Sequence, residues 1–391
     1  NPMEIIPIAH SYVYRYPSGR LVTNEDIENS ETDTAIYALM RQAGECNDRK
    51  LEKGDYYITD IERENLRILS EAYKNTILVI NVGGHIDLSF LDEIKGINAV
   101  VLFVQGGEEG GNALSDVLSG KVNFSGKLSD TIPLRYEDIP FGDEFSYLNG
   151  DLKNEYYKEG IYVGYRYFDS FDKDVRYPFG FGLSYTDFKI ETKSVSLDKT
   201  NINIKVAVTN IGEVSGKEVV QVYISLPGSN KEYQRLVTFQ KTKELEKGET
   251  ETMDLSFSLE DCTSYNEEKA AWILDEGDYI LRVGNSSRNT NLSAIFDIPQ
   301  TIVVTECKNC CSLQNKLPLF YPDKEREERV ECEMRLRVNP EDFTTKTVSY
   351  IEPSIKETEE EKSILDSLTI EEEAWLLQGG DLRNPPKGTL E

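Results

Sequence analysis

One glutamate in a short loop is the residue of this sequence best placed for acid–base chemistry. Glu45 lies in the stretch R-Q-A-G-E-C-N-D-R, residues 41–49, which follows the apolar run of residues 34–40. A carboxyl group that leaves a buried strand on an Ala-Gly turn can donate or accept a proton, but such chemistry needs a second catalytic group. Since the chain contains many other acidic residues, position alone does not distinguish Glu45 from an exposed surface acid.

The other residue types argue against several alternative chemistries. The only histidines are His10 and His85, and no Ser-His-Asp pattern accompanies them, so a hydrolase triad is not expected. The C-K-N-C-C cluster at residues 307–311 offers one C-x-x-C pair without the second pair that a zinc site needs, and we expect no metal. Cys46, beside Glu45, is expected to be passive. The six cysteines do not form a disulfide scaffold: Cys46, Cys262, Cys307, Cys310, Cys311 and Cys332.

A glycine-rich stretch resembles a phosphate-binding loop only superficially. Residues 105–112 read Q-G-G-E-E-G-G-N. A dinucleotide-binding fingerprint requires G-x-G-x-x-G and an acidic residue about 20 positions later. We therefore expect these glycines to have a structural role, with no nucleotide cofactor.

Composition and charge favour a neutral partner. The chain has 391 residues, a net charge of −27 and a pI near 4.6. Such a field repels phosphate backbones and anionic membranes, so neither nucleic acid nor a membrane is an expected partner. No apolar run approaches the ~20 residues of a membrane span, and the start lacks the basic region of a signal peptide. These features favour the cytoplasm, while sequons at Asn123, Asn285 and Asn291 leave secretion open.

The hydrophobic pattern changes along the chain. Residues 35–40, 76–82 and 99–104 are short apolar runs typical of parallel strands covered on both faces. A Thr-x-x-Glu cap at Thr59 begins a helix between the first two runs, which indicates βαβα order. Between residues 189 and 304, alternating strands separated by turns predict an antiparallel sandwich. The acidic end contains another Thr-x-x-Glu cap and one helix, near residues 368–377.

Several motifs together closely resemble family 3 glycoside hydrolases of the β-glucosidase and β-xylosidase type. Their α/β-sandwich domain is matched by Q-G-G-E-E-G-G-N-A-L-S-D-V-L-S-G-K-V-N-F-S-G-K-L-S-D-T-I-P at residues 105–133, by Y-K-E-G-I-Y-V-G-Y-R-Y-F-D at 157–169 and by Y-P-F-G-F-G-L-S-Y-T-D-F at 177–188. Residues 206–227 and 272–288 resemble the family's fibronectin type III-like domain. The L-T-I-E-E-E-A-W-L-L-Q-G-G-D end, 368–381, resembles the first helix of its TIM barrel.

The resemblance covers residues 17–381 and implies a multidomain α/β plus all-β protein with a permuted domain order. Residues 1–188 would form an α/β sandwich with a mostly parallel sheet, incomplete at its N-terminal side. Residues 189–304 would form the fibronectin-like β-sandwich, residues 305–367 a linker, and residues 368–391 the helical start of a truncated TIM barrel.

The resemblance also implies residue roles. It assigns the general acid/base to Glu45 of the A-G-E motif. Asp48 and Arg49 are candidate substrate-binding residues, although an Asp-Arg bridge that anchors the loop is the interpretation we favour. Tyr162, Tyr165, Tyr167 and Phe168 could form a sugar-stacking platform, but packing between domains is favoured.

The second catalytic group is missing from the recognisable motifs. The family's nucleophile is an aspartate of the barrel, and the Ser129-Asp130 pair lies in a sandwich motif instead. We therefore expect part of a retaining β-glycosidase that acts on a carbohydrate and is weakly active or inactive alone. A second chain that carries the barrel, or a homo-oligomer, is the expected assembly. A carbohydrate-binding or scaffold protein without catalysis, and a stand-alone interaction module, are the alternatives.

Overall fold

The structure is a computed structural model. It describes the chain outside residues 1–3, 9–10, 16–18, 43–48, 146–149, 152, 229, 311–316, 323–329, 349–357 and 378–391. For residues 4–8, 11–15 and 375–377 it describes the backbone. The chain divides into two units, Asn1–Lys346 and Thr347–Glu391, which are treated separately here.

A parallel sheet forms the centre of the α/β domain. An antiparallel hairpin of β1 (Glu4–Ile8) and β2 (Ser11–Arg15) and a short helix, α1 (Asn24–Ser30), precede it. The sheet consists of β3 (Thr34–Arg41), β4 (Asn75–Val82) and β5 (Ile97–Leu102). Its order is β3-β4-β5, and neighbouring strands run parallel. The other elements of this domain are α2 (Asp60–Ala72), α3 (Phe90–Glu93), α4 (Gly110–Leu118), β6 (Ile132–Pro133), α5 (Tyr165–Ser170) and β7 (Val175–Tyr177).

Helix α2 connects β3 to β4 and packs against both strands. It begins at the predicted capping box: Thr59 Oγ1 accepts a hydrogen bond from Glu62 N at 3.1 Å, and Glu62 Oε2 accepts one from Thr59 N at 2.7 Å. Leu66 and Leu69 are buried on its inner side. The predicted βαβα order is confirmed, because the apolar runs and this cap correspond to the observed strands and helix.

The two faces of the sheet differ in burial. Leu39 and Leu78 are fully enclosed in the α/β core, whereas Ile36 and Met40 on the opposite face of β3 are 56% and 42% exposed. The expectation that these strands are covered on both faces is therefore wrong for β3, and it is wrong for β5 as well, since no residue of β5 is buried. Both strands lie at an edge of the sheet among the described residues, so fewer neighbours are available to cover their second faces.

A β-sandwich follows the α/β domain. Its inward-facing side chains form one continuous core, which includes Val206, Val222 and Phe296. The strands are β8 (Phe188–Asp198), β9 (Asn201–Asn210), β10 (Val219–Ser225), β11 (Arg235–Lys241), β12 (Thr250–Ser258), β13 (Ser264–Asn266), β14 (Ala271–Leu274), β15 (Gly277–Ser286), β16 (Asn289–Ile298), β17 (Ile302–Glu306) and β18 (Arg335–Arg337), and the short strand β19 (Lys346–Thr347) follows them in the chain. One sheet has the order β12-β9-β8, a second has the order β11-β10-β15-β16-β18, and a third contains β13-β14-β17.

Part of the predicted linker belongs to this sandwich. Strand β18 pairs in parallel with β16, and Val338 is only 1% exposed in the sandwich core. Leu336 and Phe343 pack against the same core. The span 305–367 is therefore not a linker throughout, because isolated apolar residues in a charged segment complete a core formed more than thirty residues earlier in the chain.

Polar groups buried at the junction join the two domains. Asp169 of α5 accepts hydrogen bonds from Arg288 Nε at 2.9 Å and from Gln234 Nε2 at 3.1 Å. Lys127 Nζ lies 2.7 Å from Glu218 Oε1, and these two side chains are 13% and 6% exposed. Charges buried this deeply require partners, so each domain supplies counterions that the other needs.

The second unit contains two short helices, α6 (Glu359–Leu365) and α7 (Ile370–Leu377). Each begins at a Thr-x-x-Glu pair: Glu361 Oε2 accepts from Thr358 N at 2.7 Å, and Glu372 Oε2 accepts from Thr369 N at 2.8 Å. The predicted helix near residues 368–377 is present. Its place as the first helix of a TIM barrel stays a prediction.

Replacement of Leu78 by alanine should lower the free energy of unfolding by about 2–5 kcal/mol, because it removes a large side chain from the middle of the sheet and leaves a cavity. Leu78 is 0% exposed. Ile36→Ala, on the exposed face of the neighbouring strand, should cost less than about 1 kcal/mol. Urea unfolding of both variants measures the difference, and equal losses would contradict this description of the core.

Candidate functional site

The candidate site lies where the parallel strands end. In open α/β sheets, ligands bind beside the carboxyl ends of the strands, because the loops that follow neighbouring strands meet there. Here β3 ends at Arg41, β4 at Val82 and β5 at Leu102. The segment with Glu45 follows β3, and Gly83, Gly84 and His85 follow β4.

Only part of the predicted site lies within the described structure. Glu45, Asp48 and Cys46 lie in residues 43–48, outside the described residues. Arg49, the third predicted site residue, is described, as are Arg41 and Gln42 on the other side of the segment. The structure therefore shows how the two ends of the Glu45 segment are held.

Arg41 holds the first end. Its Nη1 and Nη2 donate to Glu62 Oε1 and Oε2 at 2.8 and 2.7 Å, and its Nε donates to the carbonyl oxygen of Asp55 at 3.0 Å. The side chains of Arg41 and Glu62 are 7% and 8% exposed. A paired fork of this kind fixes the direction of the guanidinium as well as its charge. The end of β3 is thereby attached to the first turn of α2.

Arg49 and Lys50 hold the second end through Asp55. Arg49 Nη1 donates to Asp55 Oδ1 at 2.9 Å, and the backbone nitrogen of Lys50 donates to Asp55 Oδ2 at 2.9 Å. Arg49 Nη2 also donates to the carbonyl oxygen of Gly84 at 3.3 Å. Because Asp55 also accepts from Arg41, one residue connects both ends of the segment.

The charge on Glu62 depends on its partner. Burial of the carboxyl disfavours its ionised form, but the hydrogen bonds from Arg41 and from Thr59 N outweigh burial and hold the pKa of Glu62 below its ordinary value. Glu62 is therefore a carboxylate in the folded protein at neutral pH. The ion pair is retained because either charge alone would be costly in so enclosed a position.

A histidine–aspartate pair lies beside this arrangement. His85 Nε2 is 2.6 Å from Asp130 Oδ2, and the two side chains are 45% and 56% exposed. Burial opposes ionisation of Asp130, while His85 and the backbone nitrogen of Thr131 lower the pKa of this carboxyl below its usual value. Asp130 is thus bound to a residue of the turn after β4, and it joins that turn to the segment before β6.

The glycine-rich segment accommodates an aromatic ring. A Cβ atom on Gly106 would lie 2.3 Å from the ring of Phe103, and one on Gly110 would lie 2.9 Å from it. No side chain fits at such distances, so the glycines permit Phe103 to pack across the turn. This packing gives the glycines the structural role predicted from the sequence.

The aromatic residues of the 157–169 motif pack inside the protein. Tyr162, Tyr167 and Phe168 are 1%, 5% and 4% exposed and form a small core that Phe320 also contacts. Tyr165 is half-buried, and its hydroxyl accepts from Leu236 N of the β-sandwich at 2.9 Å. These rings present no free face for a sugar, which supports packing between domains over the alternative of a stacking platform.

Other kinds of site find little support in the described part of the chain. No group of three or more His, Cys, Asp or Glu side chains is arranged there to hold a metal ion. Among the helices that the structure describes, none combines the length and apolar character needed to cross a bilayer.

The sequence analysis missed three residues of this arrangement: Arg41, Asp55 and His85. Arg41 ends an apolar strand, and its charge at that position was a usable signal. Asp55 and His85 had no local signal, because their partners lie on other loops of the same sheet edge.

Two family models match the chain. Residues 21–185 match the glycosyl hydrolase family 3 C-terminal domain, and residues 218–287 match a fibronectin type III-like domain. The α/β domain of this chain is thus similar to the C-terminal domain of family 3 glycosyl hydrolases. The predicted fold class, an α/β domain with a parallel sheet followed by a fibronectin-like sandwich, is confirmed by these matches and by the observed strands.

Curated proteins similar to this chain are named beta-glucosidases. Beta-glucosidase A of Butyrivibrio fibrisolvens is 36% identical over 324 residues, which are 71% of this chain and 39% of the relative. A beta-glucosidase of Ruminococcus albus is 38% identical over 283 residues, which are 70% of this chain and 29% of the relative. The chain thus spans well under half the length of these two relatives.

Solved structures are similar as well. Beta-glucosidase 3B from Thermotoga neapolitana, in complex with glucose, superimposes with a TM-score of 0.69 at 34% identity over 74% of this chain and 41% of that one. A beta-glucosidase from Paenibacillus barengoltzii gives a TM-score of 0.69 at 36% identity, with 74% of this chain and 33% of that chain covered.

Replacement of Arg41 by methionine should lower the free energy of unfolding by about 3–5 kcal/mol, because it leaves the Glu62 carboxylate buried without its counterion. Arg67→Met is the matched control on α2, since Arg67 is 49% exposed and pairs with Glu64 and Glu71 at the surface. That control should cost less than about 1 kcal/mol. Guanidinium unfolding at neutral pH measures both variants, and a loss for Arg41→Met no larger than the control would contradict the role of the pair.

The stability of the protein should depend on the ionisation of Glu62. Because the folded pKa is lowered, this contribution is fully present above the unfolded pKa of about 4.3 and is lost as the pH falls through the folded value. Urea unfolding between pH 7 and pH 3 should show a steeper loss for the unmodified chain than for Glu62→Gln. Glu71→Gln controls for loss of one exposed carboxylate from the same helix. Parallel pH curves for the unmodified chain and Glu62→Gln would contradict the assignment.

Proposed function

We propose that this chain supplies the general acid/base of a retaining β-glycosidase, and that Glu45 is that residue. The complete enzyme would hydrolyse terminal, non-reducing β-D-glucosyl residues. The observation that carries the proposal is the anchoring of both ends of the Glu45 segment, by Arg41 and Arg49, to Asp55 at the carboxyl edge of the sheet. The beta-glucosidase names of the relatives support the choice of reaction.

A short segment held at both ends suits an acid that must reach a bound sugar. The segment from 43 to 48 is six residues long, so anchors at 41–42 and 49–50 limit where the Glu45 carboxyl can go. A catalytic acid must approach the glycosidic oxygen to hydrogen-bond distance, and errors of about 1 Å can be costly in rate. Arg41 and Arg49 would act here as positioning residues.

The chemistry requires a second carboxylate. Glu45 would donate its proton to the glycosidic oxygen as the bond to C1 breaks, while a carboxylate nucleophile forms an ester with C1. The Glu45 carboxylate would then take a proton from the water that hydrolyses this ester. Family resemblance implies that the nucleophile belongs to a TIM barrel. Loss of one of two cooperating groups removes most of the rate, so this chain alone should be weakly active or inactive.

Arg49 fits an anchoring role better than a sugar-binding role. One nitrogen of its fork is engaged by Asp55 and the other by Gly84, and its side chain is 16% exposed. Its Nε has no partner among the described residues but is buried, so the guanidinium offers little exposed surface to a sugar hydroxyl. The role of Asp48, as part of the loop anchor or in the acceptor site, stays a prediction.

The partner would be a neutral carbohydrate. A net charge of −27 disfavours anionic ligands but leaves uncharged sugars unaffected. A second chain that carries the barrel, or assembly into a homo-oligomer, belongs to the same proposal.

Hydrolysis of p-nitrophenyl β-glycosides by this chain, alone and mixed with a separately expressed family 3 barrel, tests the proposal. We expect turnover of the β-glucoside in the mixture and a loss of roughly 10²–10⁴-fold in kcat for Glu45→Gln. The loss in kcat/KM should be smaller with 2,4-dinitrophenyl β-glucoside than with p-nitrophenyl β-glucoside, because the dinitrophenolate departs without protonation.

The control variant is Glu71→Gln on α2, which should retain full turnover. Circular dichroism establishes that each variant is folded. Absence of turnover in every mixture of folded chains would overturn the proposal. Equal losses in kcat/KM with both leaving groups would also overturn it, because an acid catalyst must discriminate between them in the step that releases the leaving group.

A further inference from the structure

Two aromatic rings lie together on the outer surface of the β-sandwich. Trp272 of β14 is 44% exposed, whereas the next residues, Ile273 and Leu274, are 3% and 0% exposed. Tyr265 of β13 is 37% exposed and lies directly opposite Trp272 in the antiparallel register. Most large apolar side chains of the sandwich strands are buried, so an exposed tryptophan on one of these strands is an exception.

The geometry of the pair forms an open corner. The ring centroids of Tyr265 and Trp272 are 5.3 Å apart, and the ring planes meet at 61°. Thr305 of β17 lies opposite Trp272 on the other side. One ring can therefore present its face to a ligand while the other ring contacts the edge of that ligand. The small side chain of Thr305 on the third strand leaves space beside the two rings.

The rings are held in place by polar contacts. The hydroxyl of Tyr265 donates to Asn309 Oδ1, and Asn309 Nδ2 donates to the carbonyl oxygen of Glu267 at 2.8 Å. Exposed residues in the segments that flank the two rings include Glu267, Lys269, Lys308 and Asn309. Ring orientations fixed before binding reduce the entropy that a ligand must overcome.

This combination of groups suits a neutral sugar chain. The axial C–H groups of a pyranose ring form an apolar face that packs on the electron-rich face of an aromatic ring. Carboxylate and amide oxygens at the edge accept hydrogen bonds from sugar hydroxyls. The net charge of −27 on the chain disfavours phosphates and acidic peptides, so the expected partner is an uncharged one.

We propose that the Tyr265–Trp272 corner binds β-linked glucose chains. The choice of β-linked glucose rests on the proposed function, while the site itself rests on the exposed rings, their mutual angle and the polar groups beside them. Binding here would attach the β-sandwich to a glucan chain through one or two glucose units. A cross-strand aromatic pair can also serve only to stabilise a hairpin, and the test separates these roles.

The two tryptophans of the chain make a direct measurement possible. In a Trp375→Phe background, Trp272 is the sole tryptophan. Titration with cellohexaose should quench or blue-shift its emission in a saturable manner. Gel electrophoresis through hydroxyethyl cellulose should retard the unmodified chain, and Trp272→Ala and Trp272→Leu should weaken this retention by about tenfold or more.

Matched controls define the outcome. Phe239→Ala removes another exposed ring, 65% exposed on β11, and should bind as the unmodified chain does. Trp272→Leu keeps an apolar side chain on the strand, so a loss of binding by this folded variant is a loss of the aromatic face. Unchanged emission at saturating glucan, or full retention of both Trp272 variants, would overturn the proposal. Equal binding of α-linked maltohexaose would overturn the assignment to β-linked chains.

Failure of this proposal can be told apart from failure of the proposed function. Binding to Trp272 should persist in Glu45→Gln, which leaves the sandwich unchanged. A response of Trp272 without hydrolysis in any mixture would refute the role of Glu45 alone. Hydrolysis without a response of Trp272 would refute the binding corner alone.

Discussion

The bidentate ion pair between Arg41 and Glu62 is the interaction on which the arrangement of the α/β domain depends. It joins the end of β3 to the start of α2, two points separated by 21 positions in the sequence. The same glutamate accepts a hydrogen bond from the backbone nitrogen of Thr59, the N-cap of α2. One carboxylate therefore both binds the end of β3 and caps the start of α2. Because both charges are buried, removal of either one should strongly lower the free energy of unfolding. The loop between Arg41 and Glu62 therefore begins at a fixed position.

The loop after β3 therefore differs from an ordinary surface connection. Its two ends converge on Asp55, whose backbone oxygen binds Arg41 and whose carboxylate binds Arg49 and Lys50. Loops on rigid scaffolds are common places for function, because variation in the loop leaves the core intact. In this chain the rigid part extends up to both borders of the segment that contains Glu45. A neighbouring anchor, Gly84, ties the second border to the turn after β4.

The sequence predicted features that depend on near neighbours and missed those that depend on distant ones. Apolar runs and the Thr59–Glu62 cap were sufficient for the βαβ order, since strands and caps are specified within a few residues. The second role of Glu62 was not visible, because its partner Arg41 precedes the cap by a whole loop. Exposure of Ile36 was not visible either, because burial is set by what covers a strand and not by its composition. Val338 joined the sandwich core from a polar segment for the same reason.

The polar junction between the α/β domain and the β-sandwich has a consequence for how such chains can diversify. Asp169 with Arg288, and Lys127 with Glu218, place one member of each ion pair in each domain. Exchange of either domain for an unrelated one would strand the other member in a poorly hydrated position. Recombination at this border must therefore carry matching charges on both sides, so the two domains are expected to be inherited as a pair. The order of strands and helices makes the domain border easy to recognise, but the buried ion pairs that cross it oppose the exchange of one domain without the other.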